Sequence, residues 1–249
     1  MKPIKQILIL GFVCIALSSL YSCSTFYAFG NNGVEPMTFI KPVHTDSIKV
    51  ITHIGGRFTH TTDSAYNGNE TNYLGQLELS QTHIFRNYNF SYGAFGYMGK
   101  YKVAKLEDFK GKKKYYGGGL AGEFNFNFPL KSVDLRTGIR GALYYEDGSF
   151  TKFRKLAKDQ NLIIGVANSR FAYNISFLMG FEIKHAKNSG FGLEGSMGST
   201  YFINDRDNFF TVSLNMHYIY KRYAFYLLFT ESVKGIGEEL SLGIKYKLR

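Results

Sequence analysis

From Lys131 to Asp147 the chain reads KSVDLRTGIRGALYYED, and two sequences interleave in it. Val133, Leu135, Thr137, Ile139, Gly141, Leu143 and Tyr145 share one parity; Asp134, Arg136, Gly138, Arg140, Ala142, Tyr144 and Glu146 share the other. A period of two puts successive side chains on opposite faces of an extended strand. The pattern recurs where Phe171, Tyr173, Ile175, Phe177 and Met179 oppose Ala172, Asn174, Ser176, Leu178 and Gly180. It returns in Phe210–Tyr220 and in Leu240–Leu248. Ten segments follow it, at 46–61, 72–83, 88–103, 115–128, 132–146, 171–186, 190–203, 209–220, 222–230 and 237–248. Several are far longer than the five or six residues of an ordinary strand, and they suffice for the roughly 9–11 residues that a tilted strand needs to cross a bilayer and extend beyond it.

The connections alternate as regularly. Those after the second, fourth, sixth and eighth segments are tight: Ile84–Asn87, Pro129–Lys131, Lys187–Ser189 and the Lys221 junction. Those after the first, third, fifth, seventh and ninth are longer and more polar, including TTDSAYNGNE, AKLEDFKGKKK and the stretch Gly148–Arg170. Short turns on one side and long loops on the other, with an even strand count, predict an all-β, antiparallel transmembrane barrel. Ten strands are expected; a misread hairpin would make the count eight or twelve.

The two faces differ in size as well as polarity. One is rich in Phe, Tyr, Leu and Ile; the other carries small residues such as Gly117, Gly119, Ala121, Ser196 and Gly198, with scattered charges. Small and paired polar groups suit a narrow lumen, and a large apolar face suits lipid. By parity, Lys49, His53, Arg57, Glu78, Glu123, Asp134, Arg136, Arg140, Glu146, Glu182, Lys184, Glu194, His217 and Lys245 are expected to point inward as a polar network of both signs. Charges withdrawn from water need partners. Such a network reads first as structural filling, and it leaves room for a narrow channel but not for a wide pore. The reverse arrangement, a lipocalin-like calyx holding an apolar ligand among its rings, is the alternative that the alternation also permits.

The first residues bear on location. Lys2 and Lys5 precede the apolar run ILILGFVCIAL, which is too short to span a bilayer and has the flanks of a secretory signal. The signal closes on Leu20, Tyr21, Ser22 and Cys23, which resembles the lipobox of bacterial lipoproteins, where the cysteine is acylated, a palmitate-type modification, and becomes the first mature residue. Taken with the strand pattern, the chain resembles small bacterial outer-membrane β-barrel proteins carrying a lipoprotein-type signal. That resemblance implies a signal peptide at 1–22, a lipid-anchored tether at 23–45 expected on the periplasmic side, and a barrel at 46–249. Cys14 leaves with the signal, so Cys23 is the one mature cysteine and no intrachain disulfide forms.

Composition adds little chemistry. Aromatic residues make up 17% of the chain and glycines number 27, in keeping with sheet. The formal charge of +11 gathers in Lys102, Lys105, Lys110, Lys112, Lys113 and Lys114, and again in Lys152, Arg154, Lys155, Lys158 and Arg170. For an exported protein the fitting polyanion is outer-membrane lipid or lipopolysaccharide rather than nucleic acid; another envelope protein is a second possible partner. The histidines have no metal-ligand spacing, so neither metal nor cofactor is expected. His60, Asp63 and Ser64 in GGRFTHTTDS are the weak candidates for an acyl hydrolase at the barrel mouth, since such an enzyme needs a hydroxyl, a histidine and an orienting carboxylate. YYGGGLAG at Tyr115–Gly122 runs into EFNFNF with no helix to hold phosphate, so it reads as strand and not as a nucleotide loop. The reading that follows is a non-enzymatic structural or interaction component of the cell envelope.

Overall fold

A computed structural model describes residues 30, 36–41, 49–62, 70–104, 106–130, 132–162, 166–186, 189–205, 208–232 and 238–248. Ten antiparallel strands close into one barrel: β1 (Lys49–Thr62), β2 (Thr71–Ile84), β3 (Tyr88–Val103), β4 (Gly111–Leu130), β5 (Val133–Gly148), β6 (Phe171–Ala186), β7 (Ser189–Phe202), β8 (Asn208–Tyr220), β9 (Tyr223–Ser232) and β10 (Glu238–Lys247). Each pairs with its sequence neighbours, and β1 closes on β10 from His53↔Lys247 to Thr62↔Glu238, so the sheet has no free edge. All ten expected strands form. The longest, β4, runs for 20 residues and takes in the GKKK that the sequence reading left in a loop.

The turn asymmetry holds as well. β8 passes to β9 through Lys221 and Arg222, with Lys221 at φ 56°, and the connection from β5 to β6 is the long one. That connection, read from the sequence only as long and polar, opens with a helix, α1 (Ser149–Asp159), entered at Gly148 with φ 129°. The helix turns Phe150, Phe153 and Ala157 inward.

The apolar parity faces out. Leu77 is 74% exposed and Met98 71%, and Leu120, Ile139, Ile175, Phe177, Met179 and Leu242 lie on the same outer surface. Inside stand Arg57, Glu78, Glu123, Arg140, Glu182, Glu194 and Lys245, all buried. A polar interior within an apolar wall is the arrangement of a transmembrane barrel, because lipid solvates the outer side chains and the closed ladder satisfies the backbone. The calyx alternative needs the faces reversed and is overturned.

Not every ring faces lipid. At the long-loop end, Phe95, Tyr97, Tyr115 and Tyr144 point inward and pack with Phe150 and Phe153. Room for them comes from β4: a Cβ on Gly117 would lie 2.5 Å from the Tyr97 hydroxyl, and one on Gly119 would lie 2.8 Å from the Phe95 ring. The GGG of this strand therefore gives the lumen its aromatic lid.

Candidate functional site

The lumen is occupied by the chain itself. Gly30 and residues 36–41, which fall within the stretch read as a periplasmic-side tether, are buried inside the barrel. Gly30 sits toward the long loops: its N–H donates to Glu146 Oε2 at 2.7 Å, and Asn72 Nδ2 donates to its carbonyl at 2.8 Å. Lys41 lies in the short-turn half, among Glu123, Asn125, Glu194 and Arg136. This strap joins no strand of the sheet.

Side chains of the wall grip the strap's backbone. Arg57 Nη2 and Gln76 Nε2 donate to the carbonyl of Pro36 at 3.2 and 2.7 Å, Lys245 Nζ donates to that of Thr38, and Arg136 Nη1 approaches that of Lys41 at 3.4 Å. An extended chain within a lumen has no ladder of its own, so its carbonyls take donors from the wall. Met37 seats over Gly93, where a Cβ would come within 2.4 Å of its Cε. The Arg140 guanidinium lies 5.9 Å from the centre of the Phe39 ring, within cation–π range.

Three groups of charge surround the strap. Toward the short turns, Lys41 Nζ bridges Glu123 and Glu194, the latter at 2.6 Å, and Arg140 bridges the same two carboxylates, with Nη2 2.7 Å from Glu194 Oε1. Two cations thus interleave with two anions, and Asn125 donates to Glu123 at 2.6 Å. Beside them Arg136 meets Glu182 at 3.0 Å, with His217 Nε2 3.7 Å from the same carboxylate. Buried Asp134 stands opposite Glu182 in the β5–β6 register. At mid-height Lys245 pairs with Glu78 at 2.7 Å, and the Tyr226 hydroxyl donates to Glu78 at 2.8 Å.

The third group lies at the long-loop mouth, where α1 brings Arg154 to 2.9 Å from Glu146, with a second bond to the Ala167 carbonyl at 2.7 Å. Burial pulls the Arg154 guanidinium down from its usual value, and the Glu146 carboxylate opposes the shift. Each of these charges is far from bulk water, so the pairing is a condition of burial and not a surplus of stability.

The parity list is therefore largely a list of lumen residues, with two exceptions. Lys49 and Lys184 are exposed and take no part in the enclosed network. Both lie at the short-turn ends of their strands, where the lumen opens and a long side chain keeps its ammonium in water. His53 is buried as expected. Arg154, counted among the surface cations, is a buried partner of Glu146 instead.

His60 has the same outward parity as exposed Phe58 and stacks on Tyr73 at 4.6 Å between ring centres. Asp63 and Ser64 lie outside the described residues, as do Cys23 and Lys105. The sequence reading missed Lys41, Phe39 and Met37. Their one signal was the apolar MTFI following Pro36 in a connection otherwise read as polar.

No family model matches the chain, and no curated protein does. Among solved structures it is similar to an outer membrane channel from Pseudomonas putida F1, at 10% identity and a TM-score of 0.46 over 84% of this chain and 100% of that one. It is also similar to the translocator domain of an autotransporter from Neisseria meningitidis, at 11% identity and a TM-score of 0.41 over 82% of this chain and 89% of that one. A further likeness is to the KdgM porin, at 12% identity and a TM-score of 0.32 over 79% of this chain and 99% of that one.

Proposed function

We propose that this chain is a non-enzymatic outer-membrane barrel, lipid-anchored at Cys23, that acts as a structural or interaction component of the envelope through its wall and long-loop face. The observation that carries the reading is the occupied lumen: the strap from Pro36 to Lys41 and the charge groups around it fill the space that a porin leaves for solute. Rigid filling leaves the outer surface as the part free to meet other molecules. Outer-membrane lipid and another envelope protein are the partners that such a surface suits.

Planar-bilayer recording on the purified full chain tests this. The expected result is an absence of large, stable openings; their regular appearance would replace the structural reading with a porin.

A second reading has its own observation. The strap belongs to no strand and is held mainly by side chains, so it can leave without opening the sheet. A narrow channel gated by the strap is thus the alternative to a permanently closed barrel. The hydrolase reading gains no such support, since His60 stacks on the outside of the wall.

A further inference from the structure

Around the outer wall at the long-loop end, three rows of side chains follow from the register. In the outermost row Lys102 stands directly opposite Lys112 across β3 and β4; in the next, Lys100 stands opposite Lys114; in the third, Phe58, Gly75, Met98 and Tyr116 follow one another from β1 to β4. All four lysines are exposed. Among the described residues none of them has a carboxylate partner; the nearby Glu107 is 3.3 Å from Lys110, and Asp147, at the β5 end of the third row, is 3.6 Å from Arg170.

Like charges set directly opposite each other destabilise a sheet. An anion against the wall would relieve two such pairs in succession.

What lies beneath the lysines narrows the anion. A hollow of about 670 Å³ opens under Lys100 and Lys114, lined by Phe58, Tyr73, Met98 and Tyr116. Its floor is Gly75, where an added Cβ would meet nothing within 4 Å. The hollow belongs to the apolar belt, and the lysines stand where that belt gives way to the long loops, at the depth of lipid headgroups.

We infer that this face is a binding site for a phosphate-bearing lipid of the leaflet at the long-loop end. The phosphate lies between Lys100 and Lys114, with Lys102 and Lys112 behind them, and an acyl chain lies over Gly75 between Phe58 and Met98. A soluble polyanion would use the lysines but leave the hollow empty; a neutral lipid would use the hollow and leave the lysines opposed. The inference rests on the outer-membrane reading above and gives its lipid partner a place.

The test reconstitutes the full chain in phosphatidylcholine nanodiscs containing a minor fraction of diphosphoryl lipid A, and measures by mass spectrometry the lipid A retained per barrel after detergent exchange. Wild type should retain lipid A in preference to phosphatidylcholine. Lys100→Gln with Lys114→Gln should lower that retention by about fivefold for each lysine removed, the weight of one cation beside an anionic lipid surface. Gly75→Trp should lower it with every lysine intact.

Equal retention by wild type and the double variant would overturn the site. So would displacement by inorganic phosphate combined with indifference to Gly75→Trp, since that pair of results describes a free-anion site. A chain that never enters the nanodisc would refute the membrane reading itself, whereas an inserted barrel without preference for lipid A would refute this inference alone.

Discussion

Lys41 Nζ stands 2.6 Å from Glu194 Oε2, joining a residue that precedes the first strand to one in β7, 153 positions along the chain. The contact fixes the foot of the strap in the short-turn half. It also gives Glu194 a cation that the sheet does not supply, because Arg140 already serves both Glu194 and Glu123.

Lys41→Met should therefore destabilise the folded barrel. Two buried carboxylates would share one guanidinium, and losing one partner of a buried pair costs about 3–5 kcal/mol. The lower end applies here, since Arg140 remains. The midpoint of heat-induced loss of the fast-migrating folded band on unboiled gels measures this, and an unchanged midpoint would show that the Lys41 contact does not form.

Lys41→Glu separates the two functional readings. A third carboxylate beside Glu123 and Glu194 should expel the foot of the strap while leaving the β1–β10 closure intact. Small, cation-selective openings in planar bilayers are expected from this variant and not from Lys41→Met. Silence from both variants would count for a permanently closed barrel.

Arg140→Leu should be the more damaging change. Arg140 touches Glu123, Glu194 and the Phe39 ring, so its loss leaves two anions with Lys41 alone. A cost near 5 kcal/mol is expected, about the upper end for a broken buried pair. Urea titration of the barrel in lipid vesicles would reveal it as a lower midpoint with an unaltered slope.

Glu146→Gln should loosen the long-loop mouth. Glu146 holds both Gly30 and Arg154, and Arg154 in turn holds the Ala167 carbonyl, so α1 loses its inner anchor when the charge goes. Trypsin should cut faster after Lys152 and Lys155 in the variant than in the parent. Identical digestion rates would mean that the aromatic contacts of Phe150 and Phe153 hold the helix by themselves.

Cys23→Ala should leave the protein in the membrane through carbonate and high-salt washes. The apolar belt is the anchor of a barrel, and an acyl chain adds to it. Release of the variant into the wash would contradict the outward-facing belt of Leu77, Met98 and Leu242.

The strands were legible because every membrane-facing strand repeats one binary rule, and the rule survives even where β3 inverts its ring positions to bring Phe95 and Tyr97 inside. Strand ends were less so: GKKK reads as a loop by charge, yet it extends β4 because its outward Lys112 and Lys114 stand beyond the apolar belt, where an ammonium keeps polar surroundings. Lys49 and Lys184 failed for a related reason, as parity gives a face but not a depth.

The strap was harder to see for a different cause, the apolar MTFI being its one mark. Alternation reports on residues that sit in a sheet, and a segment whose backbone is satisfied by Arg57, Gln76 and Lys245 has no period to betray it. The pairing of Lys41 with Glu194 is likewise a matter of three-dimensional height that one-dimensional spacing does not carry.

Ten strands are an even number of passages and return a chain to the side from which it set out. The strap stands apart from that count, with Gly30 near the long loops and Lys41 in the short-turn half. Gly30 and Leu248 consequently stand at opposite mouths of the same barrel, one beside Glu146 and the other bonded to Thr52 in the short-turn half of β1. Each mouth of the barrel thus holds a different segment of the described chain.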